Sequence, residues 1–127
     1  MRLSVLVVDN SPVMRNVIIS ALTAMNIHPD NIISADTGEQ AIDLVKEKTF
    51  SILMVSWKLP DMLGLDIIRA IRAEGVNAPI LMVTNAGGRD DVLSAFEAGA
   101  NQYLVKPFNS NDLRAKIELL LIQSCET

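Results

Sequence analysis

Cysteine, histidine, tryptophan and tyrosine occur once each in this 127-residue chain, and aromatic residues make up only 4% of it. Each scarcity excludes something. Cys125 has no second cysteine to pair with, so no internal disulfide forms, and a lone thiol near the C-terminus fits a reduced, cytoplasmic chain. Long hydrophobic runs are missing as well. The apolar run that follows Met1-Arg2-Leu3-Ser4 stops at Asp9, too short for a signal-peptide core or a membrane span. An excess of basic residues is also absent: 11 Lys and Arg stand against 15 Asp and Glu, a net charge of −4. Without a dense basic patch, direct binding to nucleic acid or to an anionic membrane is not expected. There are no repeats, low-complexity tracts or linkers, so residues 1–127 read as one domain, long enough to bury a sizeable core.

What is present is a strict alternation of short apolar runs and helical patterns. Apolar residues make up 50% of the chain. Leu3 to Val8 reads as a first strand buried on both faces, the habit of a parallel sheet. Ser11 caps a helix that opens on Pro12, with Val13, Val17, Ile18, Ala21, Leu22 and Met25 at helical spacing as its buried face. Ile32-Ile33-Ser34 is a short second strand. Thr37-Gly38-Glu39-Gln40 has the form of a capping box before a helix that buries Ala41, Ile42, Leu44 and Val45. The third strand, from Ile52, ends abruptly at Ser56, and a loop marked by Pro60 and Gly64 leads to a helix from Leu65 to Ala73. Ile80 to Val83 forms a fourth strand that ends at Thr84. The next helix carries Val92, Leu93, Ala95 and Phe96 on one side and stops at Gly99. Tyr103 to Val105 is a fifth strand closed by Lys106-Pro107. Asn109 or Ser110 caps a last helix that buries Leu113, Ile117, Leu120 and Leu121. Five such units predict a doubly wound α/β fold, a parallel sheet with helices on both faces.

In such a sheet the carboxyl ends of the strands converge on one crevice, where ligands bind. Asp9 and Asn10, Ser56, Thr84 and Lys106 all stand at strand ends. A serine hydrolase needs a base beside Ser56 and a glycine-flanked elbow. Neither is present: the local sequence is Val55-Ser56-Trp57, and His28 precedes the second strand, at the other edge of the sheet, where it reads as a solvated turn residue. A nucleotide or flavin site needs free backbone donors at the first turn. Asp9-Asn10-Ser11-Pro12 has no glycine there, an acid where phosphate would arrive, and a proline in place of a donor.

The segment Val7-Val8-Asp9-Asn10-Ser11-Pro12-Val13-Met14-Arg15 is followed by the Leu59-Pro60-Asp61-Met62-x-Gly64 loop and by Val83-Thr84. Gly99-Ala100 through Tyr103 to Lys106-Pro107-Phe108 completes the set. Together they resemble a response-regulator receiver domain of two-component signalling, of the chemotaxis-regulator kind, in order and spacing over essentially the whole chain. The resemblance implies a flavodoxin-like five-stranded sheet in the order 2-1-3-4-5. It also implies an acidic pair and a third-strand aspartate that bind Mg²⁺, that aspartate accepting a phosphoryl group which a hydroxyl and a lysine contact. By position Asp9 matches the first acid, Thr84 the hydroxyl, Lys106 the lysine, and Tyr103 the aromatic that changes rotamer and faces partners. Asn10 stands for the second acid, Ser56 for the phospho-acceptor, Leu63 for the usual aspartate before the loop glycine, and Asn85 for an often small residue.

These departures change the chemistry expected. One carboxylate, Asp9, remains where the family has three, so no cofactor is expected and Mg²⁺ binds weakly at most, with Asp9 as its one anionic ligand. An unassisted serine hydroxyl stays protonated at neutral pH and does not replace the acceptor. With Ser56 neutral, Lys106 is expected to pair with Asp9. The chain therefore reads as a pseudo-receiver: not an enzyme, but a phosphorylation-independent protein-interaction module. Its partner is expected on the face made by the fourth helix, fifth strand and fifth helix, as the family commonly uses. The alternatives are a phosphorylatable regulator with displaced or weakened chemistry, an engineered inactive copy, and a small-anion or metabolite sensor built on Thr84, Lys106 and the space at Ser56. Trp57 and the loop Pro60-Asp61-Met62-Leu63 read as core or loop packing, with Asp61 a solvated turn residue. The sequence names no partner and no oligomeric state.

Overall fold

In the computed structural model, residues 3–85 and 87–125 are described, with side chains to residue 122; Met1, Arg2, Ala86 and the thiol of Cys125 lie outside that set. Five parallel strands, β1 (Val5–Val8), β2 (Ile32–Ala35), β3 (Ile52–Ser56), β4 (Ile80–Thr84) and β5 (Gln102–Val105), form one sheet in the order β2-β1-β3-β4-β5. Between and after them come the helices α1 (Pro12–Ala24), α2 (Gly38–Glu47), α3 (Gly64–Ala73), α4 (Arg89–Ala98) and α5 (Ser110–Cys125), with one 3-10 turn at Pro29–Asn31. Strand register places Val8 beside Val55, Val55 beside Met82 and Thr84 beside Val105, so the strand ends lie along one edge.

The unbroken apolar runs are explained by the two cores. On one face Leu6, Val8, Leu53, Val55, Ile80 and Met82 pack with Ala41, Ile67, Ile68, Ile71 and Ala95 of α2, α3 and α4. Val5, Val7, Ile52, Met54, Leu81 and Val83 point the other way, against Ile18 and Leu22 of α1 and Leu113, Ile117 and Leu120 of α5. Every central strand residue thus meets a helix, which alternating polar residues would not permit.

Several local expectations hold. Ser11 Oγ accepts the N–H of Met14 at 3.2 Å and Pro12 opens α1. Gly99 ends α4 with φ +124, where a side chain would be strained and would also press on Arg72. Of the two candidate caps for α5, Asn109 is the one used: its Oδ1 accepts from Asp112 N at 2.8 Å, while Asp112 Oδ2 accepts from Asn109 N at 3.1 Å.

Three expectations are corrected. In α1 the buried face is Ile18, Ala21 and Leu22, with Met14 and Met25 half-buried against it; Val13 is 73% exposed and Val17 46%. Apolar residues occupy two sides of this helix, so spacing alone does not say which side meets the sheet. In α4 Ala95 and Ala98 face the core, while Leu93 and Phe96 lie outward. The small residues go where the helix comes close to α3 and the sheet. In α2 Thr37 Oγ1 accepts from Gln40 N at 3.1 Å as expected, but Gln40 Oε1 reaches back to Asp36 N, one residue beyond the cap.

Asp61 needs a correction too. It is exposed, but it is not merely solvated: Oδ1 accepts from Gly38 N at 2.8 Å and Oδ2 from Glu39 N at 3.0 Å. A carboxylate from the loop after β3 therefore caps the first turn of α2, where free N–H groups and the helix dipole favour a negative charge. The N–H of Gly38, then that of Glu39, holds the Asp61 carboxyl below its ordinary pKa of 3.8. A depressed carboxyl contributes stability that is present above its unfolded pKa and lost as pH falls through the folded one. Asp61→Asn is therefore expected to lower the thermal midpoint near neutral pH and to flatten the acid limb below about pH 4. Thermal melts from pH 7 down to pH 3 check this; an unchanged acid limb would remove Asp61 from the account.

Candidate functional site

The carboxyl edge is assembled from four strand ends. The N–H of Asp9 donates to the carbonyl of Ala35 at 3.0 Å, which ties the end of β1 to β2. Its own carbonyl accepts from Arg15 Nη1 at 2.7 Å. The Asp9 side chain is buried and both oxygens are engaged: Oδ1 accepts from Ser11 N at 2.8 Å, and Oδ2 meets Lys106 Nζ at 3.3 Å. The expected Asp9–Lys106 pair thus forms directly. Lys106 is held by its own backbone, whose N–H donates to Thr84 O at 2.8 Å, and the following Lys106–Pro107 peptide is cis.

Ser56 closes β3 and is 8% exposed; Thr84 closes β4 and is buried. The loop after Ser56 turns tightly, with Gly64 N donating to Trp57 O at 2.6 Å. A Cβ on Gly64 would overlap the Ser56 carbonyl oxygen, which is why glycine stands there. Asp9, Asn10, Ser56, Thr84 and Lys106 together line a cleft of about 290 Å³, which brings five of the six singled-out residues to one place. Lys58, Trp57 and Asn85 complete its wall. Of the residues that match departures from the family, Asn85 lies in the cleft, whereas Leu63 is 44% exposed at the start of α3 and gives that helix no side-chain cap.

Tyr103 stands apart from the cleft. Its ring belongs to the core between the sheet and α2, α3 and α4, and its buried hydroxyl has no hydrogen-bond partner among the described residues. Burial, and after it the carboxylate of Asp91, pushes the phenol above its ordinary pKa. Trp57 and Met62 are half-buried against the same core, as loop packing predicts. His28 is exposed at the other end of the sheet, where Nδ1 accepts from Asp30 N at 3.1 Å. Among the described residues no three His, Cys, Asp or Glu side chains converge as a metal site would require, and no helix is long and apolar enough to cross a membrane.

Lys58, the Asp61 cap and the interactions of Arg72 were not anticipated from sequence. Lys58 sits two residues beyond Ser56, a spacing that offered a signal once Ser56 was placed at the edge. Arg72 gave none.

Similarity to known proteins agrees with the geometry. Residues 5–118 match the model of the response regulator receiver domain. A chemotaxis protein CheY homolog of Campylobacter jejuni is 38% identical over 122 residues, covering 94% of this chain and 92% of that protein. The chemotaxis protein CheY of Pseudomonas aeruginosa is 36% identical over 118 residues, covering 91% of this chain and 94% of its own length. A CheY-like receiver domain protein from Methanospirillum hungatei superposes over the full length of both chains with a TM-score of 0.89 at 24% identity, a likeness of fold alone. The sheet order, the converging strand ends and these relatives lead to one conclusion: this chain belongs to the response regulator receiver domain family of two-component signalling.

Proposed function

We propose that this receiver domain works without phosphorylation, as a protein-interaction module whose partner binds the α4-β5-α5 face. The observation that carries the reading is the acceptor position itself. It holds the hydroxyl of Ser56, and the one carboxylate nearby, Asp9, already has Ser11 N and Lys106 Nζ on its two oxygens. A serine needs a base to become a nucleophile, and a carboxylate committed to an ammonium is a poor one. The face supports the second half of the reading. Both α4 and α5 pack on β5, and Leu93, Phe96, Val105, Leu119 and Ile122 on these elements are each more than 40% exposed. Tyr103 is the switch residue in this proposal: its unpaired hydroxyl gains a partner on turning outward, which offsets part of the cost of exposing the ring.

The test is intact mass after incubation with acetyl phosphate or a phosphorylated histidine-kinase donor in Mg²⁺. No added phosphoryl group is expected. A stoichiometric adduct with the lability of an acyl phosphate or a phosphoserine would instead make the chain a phosphorylated regulator.

The family's metal does not fit the donors present. Mg²⁺ prefers hard anionic oxygens and gives up its water shell reluctantly. Asn10 and Ser56 offer neutral oxygens, and Asp9 would have to leave Lys106. Mg²⁺ is therefore expected to leave Trp57 emission unchanged in the low-millimolar range. Introducing Asn10→Asp with Ser56→Asp is expected to tighten binding by about tenfold or more, since each added carboxylate restores attraction at short range. Saturable quenching of the unsubstituted protein at low-millimolar Mg²⁺ would count against this account.

A further inference from the structure

Helix α1 carries two stripes at helical spacing, and the sheet uses one of them. Met14, Ile18, Ala21 and Met25 face the core. Val13, Val17, Ser20 and Ala24 repeat the same steps of four, three and four on the outer side, where all four are exposed. Beside this second stripe lies a groove of about 570 Å³, whose other wall is Phe108 and Ser110 at the entry to α5. Among the described residues no charged side chain lines it. That lack of charge is particular to α1. Its single charged residue, Arg15, is half-buried and donates to the Asp9 carbonyl, whereas each of the other four helices carries three or four charged side chains.

We infer that two copies of this chain pair through this face, their α1 helices antiparallel across a twofold axis. The stripe is complementary to itself in that arrangement. Its larger side chains, Val13 and Val17, stand toward the N-terminal end of α1, and its small ones, Ser20 and Ala24, toward the C-terminal end. Antiparallel pairing sets Val13 of one copy against Ala24 of the other and Val17 against Ser20, so large side chains enter the hollows left by small ones. Parallel pairing would set valine on valine and leave the small end open. Opposed helix dipoles favour the antiparallel sense as well. Charge selects a second copy as the occupant. Two chains of net charge −4 repel, and a twofold contact made of charged residues would bring like charges together near the axis. The outer face of α1 has none to bring. Helix α4 packs on the opposite side of the sheet, so the pair leaves Leu93 and Phe96 of both copies open to a partner.

The stripe runs along roughly 16 Å of helix. That is short for an interface that normally covers about 800 Å² per partner, so the pair is expected to form at about 100 μM and above. Sedimentation of the full chain up to roughly 1 mM reads this as a rise in mass from one copy to two. Raising salt from about 50 to about 300 mM should strengthen the pair, because it screens the repulsion between chains and breaks no ion pair. Val17→Asp and Ser20→Lys are each expected to weaken association about tenfold or more, since each places charge in an apolar contact. Both positions are exposed, and the thermal midpoint checks that each variant is folded. Mixing the two variants should restore a pair of one copy of each, because position 17 of one meets position 20 of the other. Phe96→Asp, on the far side of the sheet, should leave association unchanged. A single copy at every concentration, a pair that weakens with salt, or undiminished pairing in both Val17→Asp and Ser20→Lys would overturn the inference. Two weakened variants that do not recover on mixing would overturn the antiparallel register.

Discussion

Replacing Arg72 with alanine is expected to cost about 3 kcal/mol or more of folding stability, although the residue is far from the cleft and only half-buried. A guanidinium has five N–H donors, and all five are used. Nε donates to Gly99 O at 3.2 Å; Nη1 donates to Val76 O and Ala78 O, both at 2.8 Å; Nη2 donates to Gly99 O and Asn101 Oδ1, both at 2.8 Å. No carboxylate takes part, so the charge is held by carbonyl and amide dipoles, and burial lowers the pKa of the group. The acceptors belong to the segment between α3 and β4, the C-terminus of α4 and the entry to β5. Asn101 Oδ1 also accepts the N–H of Ile80 at 2.8 Å, so the cluster aligns β4 with its neighbour. A cation at the end of α4 also complements the helix dipole. Lysine has three donors and no planar fork, so Arg72→Lys should recover less than half of the loss. Urea unfolding of the three proteins measures this. A loss below about 1 kcal/mol in the alanine variant would mean that water replaces the guanidinium at little cost.

The second large effect is expected at Lys106. Its side chain is 16% exposed and that of Asp9 3%, so the pair is largely withdrawn from water. Such a pair adds little net stability over an apolar substitute, but removing one member leaves the other charge buried and alone. Lys106→Met is expected to destabilise the fold by about 3 kcal/mol. Asp9→Asn is expected to do less, because the amide oxygen can still accept from Ser11 N while the stranded ammonium is the more exposed partner. The double variant should cost less than the two single changes together, by about 1–2 kcal/mol. Strict additivity in a denaturant double-mutant cycle would show that the two residues are not coupled and that another group holds Lys106.

The sequence by itself determined the architecture and the makeup of the edge. Unbroken Val, Leu and Ile runs require a sheet covered on both sides, and five strand–helix alternations lead to parallel strands whose polar ends converge. From Asp9, Ser56, Thr84 and Lys106 in that order it also followed that one carboxylate and one lysine would meet, which they do at 3.3 Å across 97 residues of sequence. Tertiary structure alone decided the rest. It turned Val13, Val17, Leu93 and Phe96 outward, set Asp61 on the first turn of α2, and surrounded Arg72 with acceptors up to 29 residues away. The physical reason is the range of the signal. Periodicity of 2 or 3.6 residues records whether a residue can be buried, and strand ends in a parallel sheet share one edge by construction. Which side of a helix is covered, and which backbone groups lie within 3 Å of a given loop carboxylate or guanidinium, depends on how neighbouring elements are placed, and no local pattern carries that.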